Sequence, residues 1–222
     1  DGRLYQVEYA SKIVSQGTIG VALKYGDGVV FGTDKHIASK LVLPESIEKL
    51  FKLDDHIAAV SAGLVGDARR LVQVARQKSQ ENMMYYEEPI NVEMLVKELS
   101  NIHQAFTQYA GMRPFGVSFI IGGVDKTGLR LFETEPSGAL AEYQAIAIGK
   151  NRNKAMDYFE KEYKDKLSFD EGVSMLLKAI SLSLDEKEKM DYKRLEFAYI
   201  DSKRKFTKIP NEKLKVLLNA LK

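Results

Sequence analysis

What constrains this chain most is the order in which its apolar residues change period. Between residues 18 and 62 they form short runs or strict alternation, as strands do: Thr18-Ile-Gly-Val-Ala-Leu23, Val29-Val-Phe-Gly-Thr33, Lys49-Leu-Phe-Lys-Leu53 and Ile57-Ala-Ala-Val-Ser-Ala62. Turn chemistry at Tyr25-Gly-Asp-Gly28 and at Asp54-Asp55 joins them in pairs, so two antiparallel hairpins precede any long helix. The spacing then becomes helical at Leu64, Val65, Ala68, Leu71, Val72 and Ala75, and again at Val92, Leu95, Val96, Leu99, Ile102 and Phe106. The segment from Met83 to Pro89 reads as a polar turn between these helices, with Asn91 as an N-cap. Strands return at Val117 to Gly122, Leu129 to Glu133 and Tyr143 to Ile148.

A second helical pair follows, carried by Ala155, Met156, Phe159 and Tyr163, then by Val173, Leu176, Leu177, Ile180 and Leu184. The charged stretch from Asp185 to Arg194 is predicted to be a solvated loop. Strands at Glu196 to Ile200 and Phe206 to Ile209 lead to a closing helix near Pro210-Asn211, with Leu214, Leu217, Leu218 and Leu221 on one face. Few compact arrangements bury every one of these stripes. Two antiparallel sheets packed face to face, each covered outside by a helix pair, do so. The expected class is α+β, a four-layer α-β-β-α sandwich. It forms one domain over residues 1–222, with 1–17 an added helix and 18–222 the sandwich.

Composition narrows the chemistry. The 33 basic and 31 acidic residues nearly cancel, to a formal charge of +2, so no electrostatic case exists for nucleic acid or an anionic membrane. There is no cysteine, which excludes disulfides, thiol catalysis and cysteine-bound zinc and favours a reducing, cytoplasmic setting. No apolar run approaches the roughly 20 residues of a membrane span. The three histidines, His36, His56 and His103, share no metal-ligand spacing and read as surface or interface residues. Phosphate-loop and dinucleotide fingerprints are missing, so no cofactor is expected, and Gly122-Gly123 reads as a bend or close-packing site at a strand end.

The first residues, Asp1-Gly-Arg-Leu-Tyr-Gln-Val-Glu-Tyr-Ala10, open an amphipathic helix. Leu4, Val7, Ala10 and Val14 form its apolar face, and Gly17 is placed for a left-handed cap. This run resembles the signature of proteasome α-type subunits. Further landmarks in the same order extend the resemblance over nearly the whole chain: Ser46-Ile-Glu-Lys49, Asp54-Asp55-His56, Ser61-Ala-Gly-Leu-Val65, Asp67-Ala-Arg69, Arg113-Pro-Phe-Gly-Val-Ser118, Leu131 to Gly138 and Ala147-Ile-Gly149. The archaeal type is the best match. The resemblance implies the N-terminal nucleophile hydrolase fold and a non-catalytic role in the outer ring of the 20S core. Its partners would be α-subunits in a seven-membered ring, proteasome β-subunits, ATPase or other activator caps, and unfolded polypeptide substrate.

Gly17-Thr18, Asp34 and Lys49 also resemble the active constellation of the catalytic β-subunits. There a Gly-Thr bond is cut, the freed threonine hydroxyl attacks a peptide carbonyl, and its own amine acts as base. Here Thr18 is internal, its nitrogen is an amide, and the helix before it looks built to be kept. The expectation is therefore a vestigial site at Thr18 and Asp34 with no catalytic residue. A β-type peptidase released by cleavage at Gly17-Thr18, and a free-standing binding domain of the same fold, are the alternatives.

By the same resemblance Lys49 would meet the carboxylate of an activator's C-terminal tail, with Leu4, Glu8, Gly17 and Leu64 lining that pocket. Tyr9 would belong to a gate cluster, and the loop Tyr109-Ala110-Gly111 to Phe115 would narrow the axial entrance. Three departures stand out: Ala110 replaces the first of two usual glycines, Ser11 stands where arginine is common, and Ile19-Gly-Val-Ala22 replaces Thr-Ala-x-Gly. The family's Tyr-Asp-Arg gate stretch would precede Asp1, and a ring of this sequence alone would be expected to stand open.

Overall fold

The computed structural model describes residues 4–220 apart from 36, 38, 40, 110, 186, 187 and 189. The expectations for His36, Ala110 and Leu221 lie outside the described residues. Helix α1 (Tyr5–Gln16) precedes β1 (Gly20–Tyr25) and β2 (Gly28–Asp34), and β3 (Leu50–Asp54) with β4 (Ile57–Gly63) leads into α2 (Val65–Tyr86) and α3 (Val92–Gln108). Strands β5 (Val117–Asp125), β6 (Gly128–Thr134), β7 (Leu140–Glu142) and β8 (Ala145–Ile148) follow. Then come α4 (Arg152–Glu162), α5 (Phe169–Ser183), β9 (Leu195–Ile200), β10 (Phe206–Lys208) and α6 (Asn211–Ala220).

Among the described residues the strands form two antiparallel sheets, ordered β10-β9-β2-β1-β8 and β3-β4-β5-β6-β7. The two early hairpins thus belong to different sheets. Alternation explains why they pack face to face. Along β4, Ile57 and Ala59 point to the layer of α2 and α3, while Ala58, Val60 and Ala62 point to the facing sheet. Along β1, Val21, Leu23 and Tyr25 point to α4 and α5, while Ala22 points inward. Both faces of each central strand are buried, so these strands read as continuous apolar runs. The result is the four-layer α+β sandwich, with α6 packed beside α5. Helix α1 lies across the end of the sheet pair, and its Val14 enters the inter-sheet core.

Several local expectations need correction. Helix α2 runs through the segment predicted as a turn and stops at Tyr86, with Glu87 in the left-handed conformation at φ 54°. Asn91 occupies the N-cap position of α3 but its side chain makes no cap bond; the Val92 N–H donates to Asp125 Oδ2 instead, at 2.9 Å. Gly17 is extended, at φ −65° and ψ 150°, not left-handed. It is glycine because a Cβ there would lie 2.5 Å from the Gly63 nitrogen. Strand β5 continues past Gly122-Gly123 to Asp125, and a Cβ on Gly123 would lie 2.0 Å from the His56 carbonyl oxygen, so close packing is what these glycines serve. The 185–194 stretch is not wholly a solvated loop, since residues 192–194 form a 3-10 turn that turns Arg194 inward. His56 and His103 are buried, not superficial.

Candidate functional site

The end of the sandwich beneath α1 gathers the residues the sequence singled out. Thr18 follows α1 directly and precedes β1, Asp34 ends β2, and Lys49 precedes β3. The Lys49 ammonium donates to the Thr18 carbonyl at 2.7 Å and also to Thr18 Oγ1. Lys49 is only 5% exposed, and this burial pushes its pKa down to about 7 against the pull of the Asp34 carboxylate. Asp34 is itself buried, which raises its pKa, while a fork from Arg194 (Nε to Oδ1 3.0 Å, Nη2 to Oδ2) opposes the rise.

The Gly17–Thr18 peptide is held from both sides. The Gly17 carbonyl accepts from the Lys150 N–H at 2.7 Å. Gly149, at φ +94°, closes on the same peptide, so close that a Cβ would lie 2.8 Å from the Gly17 oxygen. Thr18, Asp34 and Lys49 are thus brought together at this end of the sandwich. Chemically the group lacks its base, because an N-terminal nucleophile needs a free amine and the Thr18 nitrogen is an amide in an intact peptide. The neighbouring cationic groups are committed as well: Lys49 to Thr18, Arg194 to Asp34, and Lys150 Nζ to Asp185.

The expected tail-binding residues are spread along α1. Gly17 packs on Gly63 and Lys49 reaches Thr18, so these two lie at the C-terminal end of α1, while Leu64 lies alongside the helix near Ile13. Leu4 stands at the N-cap of α1 and Glu8 in its first turn, and the 13 residue steps from Leu4 to Gly17 put roughly 20 Å between the two ends of that segment at helical rise. One copy of the chain does not unite the five. Leu64 shares an apolar groove of about 480 Å³ with Tyr5, Tyr9, Ile13, Arg113 and Pro114, and Lys49 is not part of its wall. Leu4, Tyr9 and Tyr109 are exposed, and Gly111 takes φ +82°, where glycine is favoured.

Nothing local in the sequence marks Arg194 or Lys150, since Arg194 meets an aspartate 160 positions away. Asp67 and Arg113 stand in separate sequence landmarks, and the structure joins them in a fork with both distances at 2.7 Å. Among the described residues no group of three or more His, Asp or Glu is placed to hold a metal ion, and no helix is long and apolar enough to cross a membrane.

Residues 14–200 match the proteasome subunit family. The chain is 46% identical over 214 residues to the proteasome subunit alpha of Methanopyrus kandleri, covering 96% of this chain and 86% of that protein. It is 47% identical over 219 residues to the proteasome subunit alpha of Methanocaldococcus jannaschii, covering 98% and 83%. For the proteasome subunit alpha of Archaeoglobus fulgidus the identity is 45% over 215 residues, covering 97% and 87%.

Proposed function

The chain belongs to the proteasome subunit family as a non-catalytic, archaeal-type α subunit, and from that premise we propose that it builds the outer ring of a 20S core in the cytoplasm. Seven copies or close relatives close the ring, β-subunits beneath it carry the peptidase sites, and unfolded polypeptide enters through the axial opening. ATPase or other caps dock their C-terminal tails on the ring. Lys49, Gly17 and Leu64 supply the inner wall of each tail pocket and Leu4 and Glu8 the outer part, with a neighbouring copy completing it. Tyr9 belongs to the gate, and Tyr109, Ala110 and Gly111 narrow the entrance.

One observation carries the non-catalytic part. Helix α1 is packed onto the end of the sandwich with Val14 in the inter-sheet core, which covers Thr18 and its partner Lys49 and marks the helix as a retained part of the fold. The separation of the pocket residues along α1 supports a site completed between copies. A terminal carboxylate suits a partly desolvated ammonium, which binds it more strongly than an exposed one does.

The test is native mass spectrometry of the chain alone and with an active β-subunit, together with a fluorogenic peptide assay on each. Intact subunits in seven-fold rings, silent alone and active with β, are expected. A subunit shortened to begin at Thr18 and cleaving peptide unaided would establish the β-type alternative.

A further inference from the structure

The segment that follows Gly111 is tied down at a single acidic side chain. Asp67 lies in the first turn of α2, where the helix N-terminus favours a carboxylate, and it is nearly buried. Its Oδ1 accepts from Arg113 Nη2 at 2.7 Å, and its Oδ2 accepts from Arg113 Nη1 at 2.7 Å and from the Gly116 N–H at 2.9 Å. Arg113 Nη1 also reaches the Pro114 carbonyl at 3.1 Å, so the fork holds its own backbone in a fixed bend.

The downstream end is locked independently. The Leu64 N–H donates to the Gly116 carbonyl at 2.9 Å, and Gly63 approaches so closely, at φ +116°, that a Cβ would lie 2.1 Å from the Gly116 oxygen. From below, Phe115 rests on Phe106 and on the edge of His103, with ring centroids 4.5 and 5.6 Å away. Upstream of Arg113, the bond from the Met112 N–H to the Tyr109 carbonyl is long, at 3.3 Å, and Met112 and Tyr109 are largely exposed. Arg113 is thus the last firmly held residue before the exposed tip.

From this geometry we infer that Asp67 is a positioning residue for substrate entry: through the Arg113 fork it sets where residues 111 to 113 stand. The inference rests on the proposed role of this loop in narrowing the entrance. A lysine at 113 would keep the charge and lose the planar fork, so position would depend on the bidentate geometry as well as on attraction.

The chain has no cysteine, so a single spin label can be placed cleanly. Met112→Cys carries the reporting label and Tyr85→Cys, at the exposed end of α2, the control, each in rings assembled with β-subunits. Asp67→Asn and Arg113→Gln should shift the label at 112 to faster motion, leave the label at 85 unchanged, and raise the ratio of unfolded-polypeptide to short-peptide cleavage severalfold. Arg113→Lys should fall between these variants and the parent. Should Asp67→Asn fail to assemble, Arg113→Gln decides alone, since that side chain is mostly in water.

An unchanged label at 112 overturns the inference. Equal quickening at 112 and 85 with a lower melting temperature also overturns it, because that is general loosening. Quickening confined to 112 with an unchanged cleavage ratio upholds Asp67 as the positioning group and removes the entrance role of the loop instead.

Discussion

Replacing His103 with methionine should flatten the acid side of the stability profile. The ring of His103 is completely buried, with Phe115 against it and Asp67 of α2 nearby, and neither of its nitrogens has a hydrogen-bond partner among the described residues. Burial pushes its pKa from 6.5 down to about 4, and the nearby Asp67 carboxylate only partly opposes this. The folded protein therefore refuses a proton that the unfolded chain accepts. Stability from this group is whole above pH 6.5 and is lost as pH falls toward 4, reaching about 3 kcal/mol in full and about 2 kcal/mol by pH 5. For a chain of this size that is a fall of roughly 4–8 °C in melting temperature between pH 8 and pH 5. Methionine has similar bulk and nothing to protonate, and it removes two unpartnered polar atoms, so the variant should also gain about 1 kcal/mol at pH 8. The assay is the thermal melt followed by circular dichroism at pH 8, 6.5 and 5, with both proteins in the same assembly state by native mass. Parallel curves of melting temperature against pH would refute the reasoning, because they would mean that the imidazole is protonated or solvated in the folded state.

Three further outcomes follow from the same geometry. With Lys49 titrating near 7, its charged fraction falls about thirtyfold between pH 6 and pH 8.5. A tail peptide ending in a free carboxylate should weaken by a comparable factor by calorimetry on assembled rings, whereas pH-independent binding would exclude this ammonium as the contact. Gly123→Ala should cost more than about 3 kcal/mol in denaturant melts, because its Cβ would have to displace the backbone of β4 at His56; a loss under about 1 kcal/mol would contradict the close packing. Asp34→Asn alone leaves the Arg194 guanidinium without its charge partner and should cost about 3 kcal/mol, while the double change with Arg194→Met should recover most of it. Additive losses in that cycle would show that the pair is not coupled.

The fold was legible because its signal is local. Alternation in Ile57 to Ala62 and helical spacing in Val92 to Phe106 report which faces are buried, and burial decides the layers. Errors cluster where a residue's partner is distant. Gly17 looked like a helix cap because glycine after a helix usually is one, but the requirement comes from Gly63, on the facing sheet. Asn91 does hold the N-cap position of α3, but the bond to the first N–H of the helix comes from Asp125, at the end of β5. The exposed end of α2, Met83-Met84-Tyr85-Tyr86, carries no helical stripe, so periodicity had nothing to read there. Strand β7 is three residues long and exposed on all of them, which leaves no pattern at all.

The site was half legible, for a reason that bears on what it does. Thr18, Asp34 and Lys49 were visible through resemblance to a catalytic arrangement, and the structure does bring them together. What the sequence hid is the set of groups that occupy them: Arg194 on Asp34, the Lys150 N–H on the Gly17 carbonyl, and Thr18 itself on Lys49. A buried carboxylate and a buried ammonium are costly when single and tolerable when paired and hydrogen-bonded. Once such a cluster is enclosed, losing one member strands another, so stability alone is enough to hold these residue types together. Residues of catalytic appearance therefore distinguish a working site from a vestige poorly. The discriminating feature lies one peptide bond away, in whether residue 18 carries a free amine or the carbonyl of Gly17.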